Sequence, residues 1–436
     1  MPPSTSDPRP NAPGDNRPAN ATTASPADPP TENHRDERSS PLAEPAFRRY
    51  FLAMCLSTMG TWVTRFLIGW SAWELTHAAL WVGIASAVML VPTFVLSPLF
   101  GVLADRINPR NGLLFTLSSQ ALLGLGAAAT VALDAFAIPA LLLVALATGA
   151  ISAAHQPLRL TLIPLLVSRG ALPGAIGLSA VVFNLARILG PALAGSLLAA
   201  AGLVLGFATG GLLFAAGALA MLRVHCQDNR PPVQSAPVWQ QFRDGLAFAL
   251  ARPAIRLTLL LTMANGLLGR SVIELLPALS GKLLAGDPHT LAILTAAAGA
   301  GSILGGLALT RQRGSETVLA RMVFASLACA ALALLPSPWA DDLLAVGAIV
   351  LILSLATTMV GTGCQALAML SVEERFRGRV LSLWTVLTMG SPAIGSLIMG
   401  ALADRIGFAP VLVGFGLLAL LALAALARGR GRPGAT

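Results

Sequence analysis

Four charged side chains, Arg65, Arg187, Arg270 and Glu274, stand inside long apolar stretches rather than at their ends. A charge in hydrocarbon costs several kcal/mol, so each demands a partner and points to function. Arg270 and Glu274 are four residues apart, one turn of a helix, and can meet on one face. Counting about 1.5 Å per residue from the Arg-rich ends of their stretches puts Arg65 and Glu274 at similar depth, in the outer half of a bilayer. They can therefore pair across the chain. Glu274 is the leading candidate for a group that takes up and releases a proton. The competing reading is a structural pair with Arg270 that never does so. Arg187, near mid-bilayer and one turn from Asn184, can bind an anionic group or pair with helix carbonyls.

A second set lies where apolar stretches end or bend. In Gly101-Val-Leu-Ala-Asp105-Arg106-Ile-Asn-Pro-Arg110, neither Asp105 nor Arg106 can sit in hydrocarbon, so the segment is a tight turn at a membrane surface. Asp105 can accept hydrogen bonds from a neighbouring helix N-terminus and pair with an arginine, a contact that one conformation makes and another breaks. Gly190, Pro191 and Gly195 combine small residues, which let helices approach closely, with a proline that removes a backbone hydrogen bond and bends the helix. His155 and Gln156, near the end of a stretch, carry no assigned role. Glu74, Asp134, Asp341 and Asp342 fall at stretch ends and read as solvated rims.

Metal and enzyme chemistry find no support. Cys55, Cys226, Cys329 and Cys364 are far apart and show no ligand spacing. None of H-E-x-x-H, G-x-S-x-G or the phosphate-binding G-x-x-x-x-G-K-[ST] occurs. Neither a metal nor an enzymatic activity is expected.

The elements that position these residues follow from composition. Of 436 residues, 55% are hydrophobic and 11% charged, and the mean hydropathy is +0.73. Water-soluble globular chains do not reach these values. The net charge of +9 comes from arginines spread through short connections rather than gathered on a soluble domain, so no nucleic-acid partner is expected.

Residues 1–45, rich in Pro, Ser and Asn, read as a disordered cytoplasmic tail without a cleavable signal. Twelve apolar stretches of the length a bilayer requires follow, at about 49–73, 80–103, 111–133, 138–158, 174–200, 203–223, 256–281, 288–310, 317–336, 342–368, 380–403 and 408–427. Without water for the backbone they must be helices. Alternate connections hold nearly all the arginines, whereas the others hold only Lys282 and Arg405, which places both termini in the cytoplasm.

The polar, Pro-containing segment 224–255 divides the chain into a six-helix bundle at 46–223 and another at 256–428, with a short tail at 429–436. Gly190-Pro-Ala-Leu-Ala-Gly195-Ser-Leu197 echoes Gly390-Ser-Pro-Ala-Ile-Gly395-Ser-Leu397 at an offset of 200, as parallel repeats would. A weaker echo of the 101–106 turn, Gly306-Leu-Ala-Leu-Thr310-Arg311, has Thr310 where an acid is expected.

The order G-x-L-A-D-R-x-x-x-R at 101–110 resembles the signature loop between the second and third helices of the major facilitator superfamily of secondary transporters. The stretch from His155 to Arg169, continuing through Phe183-Asn-Leu-Ala-Arg187-Ile-Leu-Gly-Pro-Ala-Leu-Ala-Gly195, is similar to the branch that includes enterobactin-type siderophore exporters and macrolide efflux pumps, as is Arg377-Gly-Arg379-Val-Leu-Ser382.

The resemblance implies an all-α membrane protein with twelve transmembrane helices in two pseudo-symmetric six-helix bundles. It further implies proton-coupled export of small amphipathic compounds by alternating access, from a monomer in the inner membrane. The partners are a small-molecule substrate and the bilayer, and no cofactor is needed beyond the proton gradient. Gly101, Asp105, Arg106 and Arg110, with Arg377 and Arg379, would form a gate; Gly190, Pro191 and Gly195 a conformational bend; and Arg65, Asn184, Arg187, Arg270 and Glu274 the coupling or substrate cavity. Uniport or import of a metabolite, or a non-transporting sensor, are the alternatives. Two departures stand out: Asn108 and Pro109 replace the loop's usual glycine and basic residue, and 140–154 lacks the arginine of many drug antiporters.

Overall fold

The computed structural model describes residues 40–430 except 105, 169, 226–237, 285, 311–315, 371 and 373. Most of the expected N-terminal tail, like Asp105, lies outside the described residues. The last part of that tail departs from expectation: Pro41–Ala43 forms a 3-10 turn that leads into the first helix.

Among the described residues the secondary structure is helical throughout, as an apolar solvent dictates. The long helices are α1 (Pro45–Thr76), α2 (Ala79–Ala104), α3 (Pro109–Ala132), α4 (Ile138–Leu166) and α5 (Leu172–Leu222). After them come α6 (Val238–Ala251), α7 (Pro253–Ala264), α8 (Ser271–Glu274), α9 (Leu276–Leu284), α10 (Pro288–Thr310), α11 (Glu316–Leu334), α12 (Leu343–Leu370), α13 (Glu374–Ile406) and α14 (Phe408–Arg430). Each of the twelve apolar stretches overlaps one or more of these elements, running past an end by no more than a residue or two. By length and composition nine described helices can cross a membrane, or ten when the bent α7–α9 run is one span. In α2, Ala79–Thr93 is a further, shorter apolar helix.

Local chemistry explains the joints. Asn108 caps α3, its side-chain oxygen accepting the N–H of Arg110 at 3.0 Å and of Asn111 at 3.4 Å, and Pro109 occupies the first helical turn. The two residues that depart from the family loop thus start the helix. In α5 a non-helical Gly202, φ 76°, joins segments 172–201 and 203–222, which correspond to two expected spans. Residues 238–251, expected within a long loop, form α6 instead.

The seventh stretch is not one straight helix. Asn265–Arg270 winds as a π turn between α7 and α8, and the run bends by 58° between Glu274 and Leu276. Side chains such as Phe115, Leu122 and Leu344 point outward and are exposed, which suits lipid rather than water.

Helices α1, α3 and α5 pack together, with α2 on α4 and α3 on α4. Helices α10, α11, α12 and α14 form a second group, and the two meet along α2–α13 and α5–α10. The α2–α13 pair is antiparallel: Ala79 lies by Gly400, Gly83 by Ser396 and Leu90 by Ala393.

Candidate functional site

A cavity of about 80 Å³ opens among α1, α2, α5, α8, α10 and the π turn. Its charged lining is Arg65 from α1, Arg187 from α5, Arg270 from the π turn and Glu274 from the end of α8. Arg65 and Glu274 meet: Arg65 Nη2 donates to Glu274 Oε2 at 2.5 Å across 209 positions of sequence. The arginine side chain keeps 29% of its exposure and the carboxylate 5%, so the pair sits at a cavity wall rather than in water.

Arg270 does not make the one-turn contact expected of it. Its own segment is a π turn, wider than an α-helix, and this takes it out of the register in which positions four apart face each other. Serine completes the irregular turn, with Ser271 Oγ donating to Gly266 O at 2.9 Å and to Leu267 O at 2.5 Å. Such π turns recur at functional sites.

Trp62, one turn before Arg65, organises the other cations. Its ring lies 5.8 Å from the Arg65 guanidinium carbon and 5.6 Å from that of Arg187, within cation–π range. Phe183 meets the ring edge-on at 5.5 Å. Gly190 makes this possible, because a Cβ there would lie 2.5 Å from the Trp62 Cβ and push α5 off α1. Pro191 lines the cavity, and Gly195 plays the same close-contact role toward α10, beside Ala292 and the Pro288 carbonyl. Asn184 turns back onto its own helix, donating to Ala180 O at 2.8 Å, rather than toward Arg187.

Of the expected gate residues, Asp105 lies outside the described residues. Gly101 lies in α2, Arg106 is exposed in the following turn, and Arg377 and Arg379 belong to the start of α13. Arg110 has a fixed structural position, capping the C-terminal end of α5 through the Leu222 carbonyl at 2.8 Å and the Val224 carbonyl. His155 bonds to Thr116 at 3.0 Å.

A second ionic cluster, missed in the sequence, ties the opposite end of α13 to α2. The Asp404 carboxylate accepts Ala79 N–H and Leu80 N–H, each at 2.9 Å, and pairs with Lys282, the only lysine of the chain. It thereby caps the start of α2 and links α13 to α9. The signal was present: Gly400-Ala-Leu-Ala-Asp404-Arg405 repeats the pattern of Gly101-Val-Leu-Ala-Asp105-Arg106. Replacing Asp404 with Asn removes the ion pair and weakens the cap. Attack by a membrane-impermeant maleimide on a cysteine placed at buried Ser86, in the cavity lining, is then expected to rise severalfold. An unchanged rate would mean that the cluster does not hold this end shut.

Long apolar helices meeting around a charged cavity, one of them broken at the charge, are features of a secondary transporter. Residues 37–434 match the transmembrane secretion effector family, and the chain belongs to it. The chain is 26% identical to the staphyloferrin A transporter of Staphylococcus aureus over 362 residues, 82% of this chain and 89% of the relative. It is 27% identical to the enterobactin exporter EntS of Salmonella typhimurium over 408 residues, 89% of this chain and 95% of that one.

Among solved structures, the nucleoside transporter NupG superposes with a TM-score of 0.68 at 13% identity, covering 89% of this chain and 99% of that one. A bacterial homologue of the lysosomal transporter Spinster, inward-facing and unoccupied, gives 0.67 at 16% identity over 88% and 96%. The chain is a multi-pass membrane transporter, not an enzyme.

Proposed function

We propose that this protein is a secondary active exporter that moves a small amphipathic compound, siderophore-like or drug-like, out of the cell by alternating access and draws on the proton gradient. The reading includes twelve spans in two six-helix bundles, a monomer, and both termini on the cytoplasmic side of the inner membrane. One observation carries it: a chain similar to the enterobactin exporter EntS closes an Arg65–Glu274 pair across its cavity, where the helix holding the acid breaks. Phe66, Met89 and Leu291 supply apolar walls beside the charges, which suits an amphipathic cargo. Glu274 is the proton-exchanging group in this scheme, and its ion pair must open for a proton to enter.

A second reading is transport without protons. Glu274 already pairs with Arg65 and is flanked by two further guanidinium groups, an arrangement that a purely structural pair would share. Retention of siderophores and fluorescent amphipathic compounds in expressing and non-expressing cells, with and without a protonophore, separates the two. Lower retention that the protonophore abolishes is the expected result. Lower retention that persists supports transport without protons, and no difference for any compound counts against export.

A further inference from the structure

Among the described residues, two of the three arginines at the cavity have no ion pair of their own. Arg187 is 9% exposed and Arg270 half-buried, and among the described residues neither makes a hydrogen bond or has a carboxylate oxygen within 4 Å; both share only the more distant Glu274. Glu274 is engaged by Arg65. Three guanidinium groups against one carboxylate leave the cavity with an excess of two positive charges. Buried charge without a partner is costly, and the face of Trp62 compensates it only in part. The Trp62 Nε1–H is also buried without an acceptor. Donors thus outnumber acceptors around an open space, the reverse of what a neutral apolar cargo needs.

From this geometry we infer that the cavity is an anion-recognition site for a small organic acid bearing at least two carboxylates. Arg187 and Arg270 hold the carboxylates, and the carbon skeleton lies against Trp62 and Phe66. The inference rests on the reading of this cavity as the cargo site. A guanidinium presents paired N–H donors in a planar fork that matches a carboxylate, so each arginine fixes orientation as well as charge. Two carboxylates cancel the excess of two. The loaded cavity is neutral and the empty one charged, and a neutral cavity is easier to enclose away from water. Cargo binding therefore favours the closure that carries the site between the two sides.

The test is calorimetric titration of the full chain in lipid nanodiscs with phthalate and citrate, set against dimethyl phthalate and trimethyl citrate as uncharged counterparts. At least one acid should bind while its ester does not. Arg187→Gln and Arg270→Gln should each weaken that acid at least tenfold at unchanged thermal midpoint. Arg187→Lys, which keeps the charge but loses the fork, covers the case in which the glutamine variant fails to fold, and should weaken binding by a smaller factor. Esters that bind as tightly as acids, variants that bind as wild type, or no binding by either acid at millimolar concentration overturn the inference. Acid binding without efflux in the retention assay would sink the export reading and leave the anion site standing. Efflux of neutral compounds without acid binding would do the opposite.

Discussion

Replacing Glu274 with Gln is expected to abolish proton-dependent export while leaving a detectable amount of protein in the membrane. Glutamine keeps the shape of the side chain and can still accept one hydrogen bond from Arg65, but it has no charge to give. Removing one member of a buried pair costs about 3–5 kcal/mol, because the remaining charge is left uncompensated. The Arg65 side chain retains 29% of its exposure, so it can turn toward the cavity and the loss should fall at the low end of that range. The thermal midpoint in detergent would fall accordingly.

A paired variant distinguishes structure from mechanism: Arg65→Gln with Glu274→Gln removes both charges and should recover most of the midpoint, as coupled neighbours do in a double-mutant cycle. If transport stays absent in that stable double variant, the charges serve coupling rather than packing. Normal export by Glu274→Gln alone would make the pair structural. Binding of a dicarboxylate should survive in this variant and tighten, since the competing acid next to Arg65 is gone.

The pairing of Arg65 with Glu274 shows why part of this site could be read from the chain. In a bilayer, length along a helix measures depth, so two charges counted from the same surface can be matched across 209 positions. The same apolar solvent makes the spans themselves visible. Trp62 was hidden for the converse reason, because an aromatic within an apolar run looks like lipid-facing surface until the neighbouring Arg187 is placed. The π turn had only weak local signals, Gly266 and Gly269. Its cause is tertiary: these positions sit against Ser391 and Thr357, where a Cβ would clash. Asp404 was less legible because its motif stands at the end of the eleventh stretch, not at 306–311, the position that topology relates to the 101–106 turn. Helix α6 lay in a segment whose polar start and prolines suggested a loop, although Val238-Trp-Gln-Gln-Phe-Arg-Asp-Gly-Leu-Ala-Phe alternates apolar and polar residues at helical spacing.

The packing that holds the cavity together yields the second large effect, at Gly149. A Cβ built at this position of α4 would lie 2.1 Å from the Met89 carbonyl oxygen of α2 and 2.9 Å from its carbon. Thr93 Oγ1 reaches the Gly149 carbonyl at 3.4 Å, so the backbones are close along this crossing. A side chain can swing aside, but a helix backbone cannot, and α2 must move bodily to admit even one methyl group. Overpacking of a rigid contact costs about 1–3 kcal/mol and sometimes more. Gly149→Val, with two further carbons, should reach the upper part of that range and lower the thermal midpoint by several degrees. Met89 lines the cavity, so the same displacement widens the site and should weaken transport by more than the loss of folded protein accounts for. Gly126→Ala in α3 is the matched control: nothing lies within 4 Å of a Cβ there, and the change should stay within about 0.5 kcal/mol. Equal midpoints for the two variants would mean that α2 and α4 do not cross this closely, and the cavity wall they build would have to be redrawn.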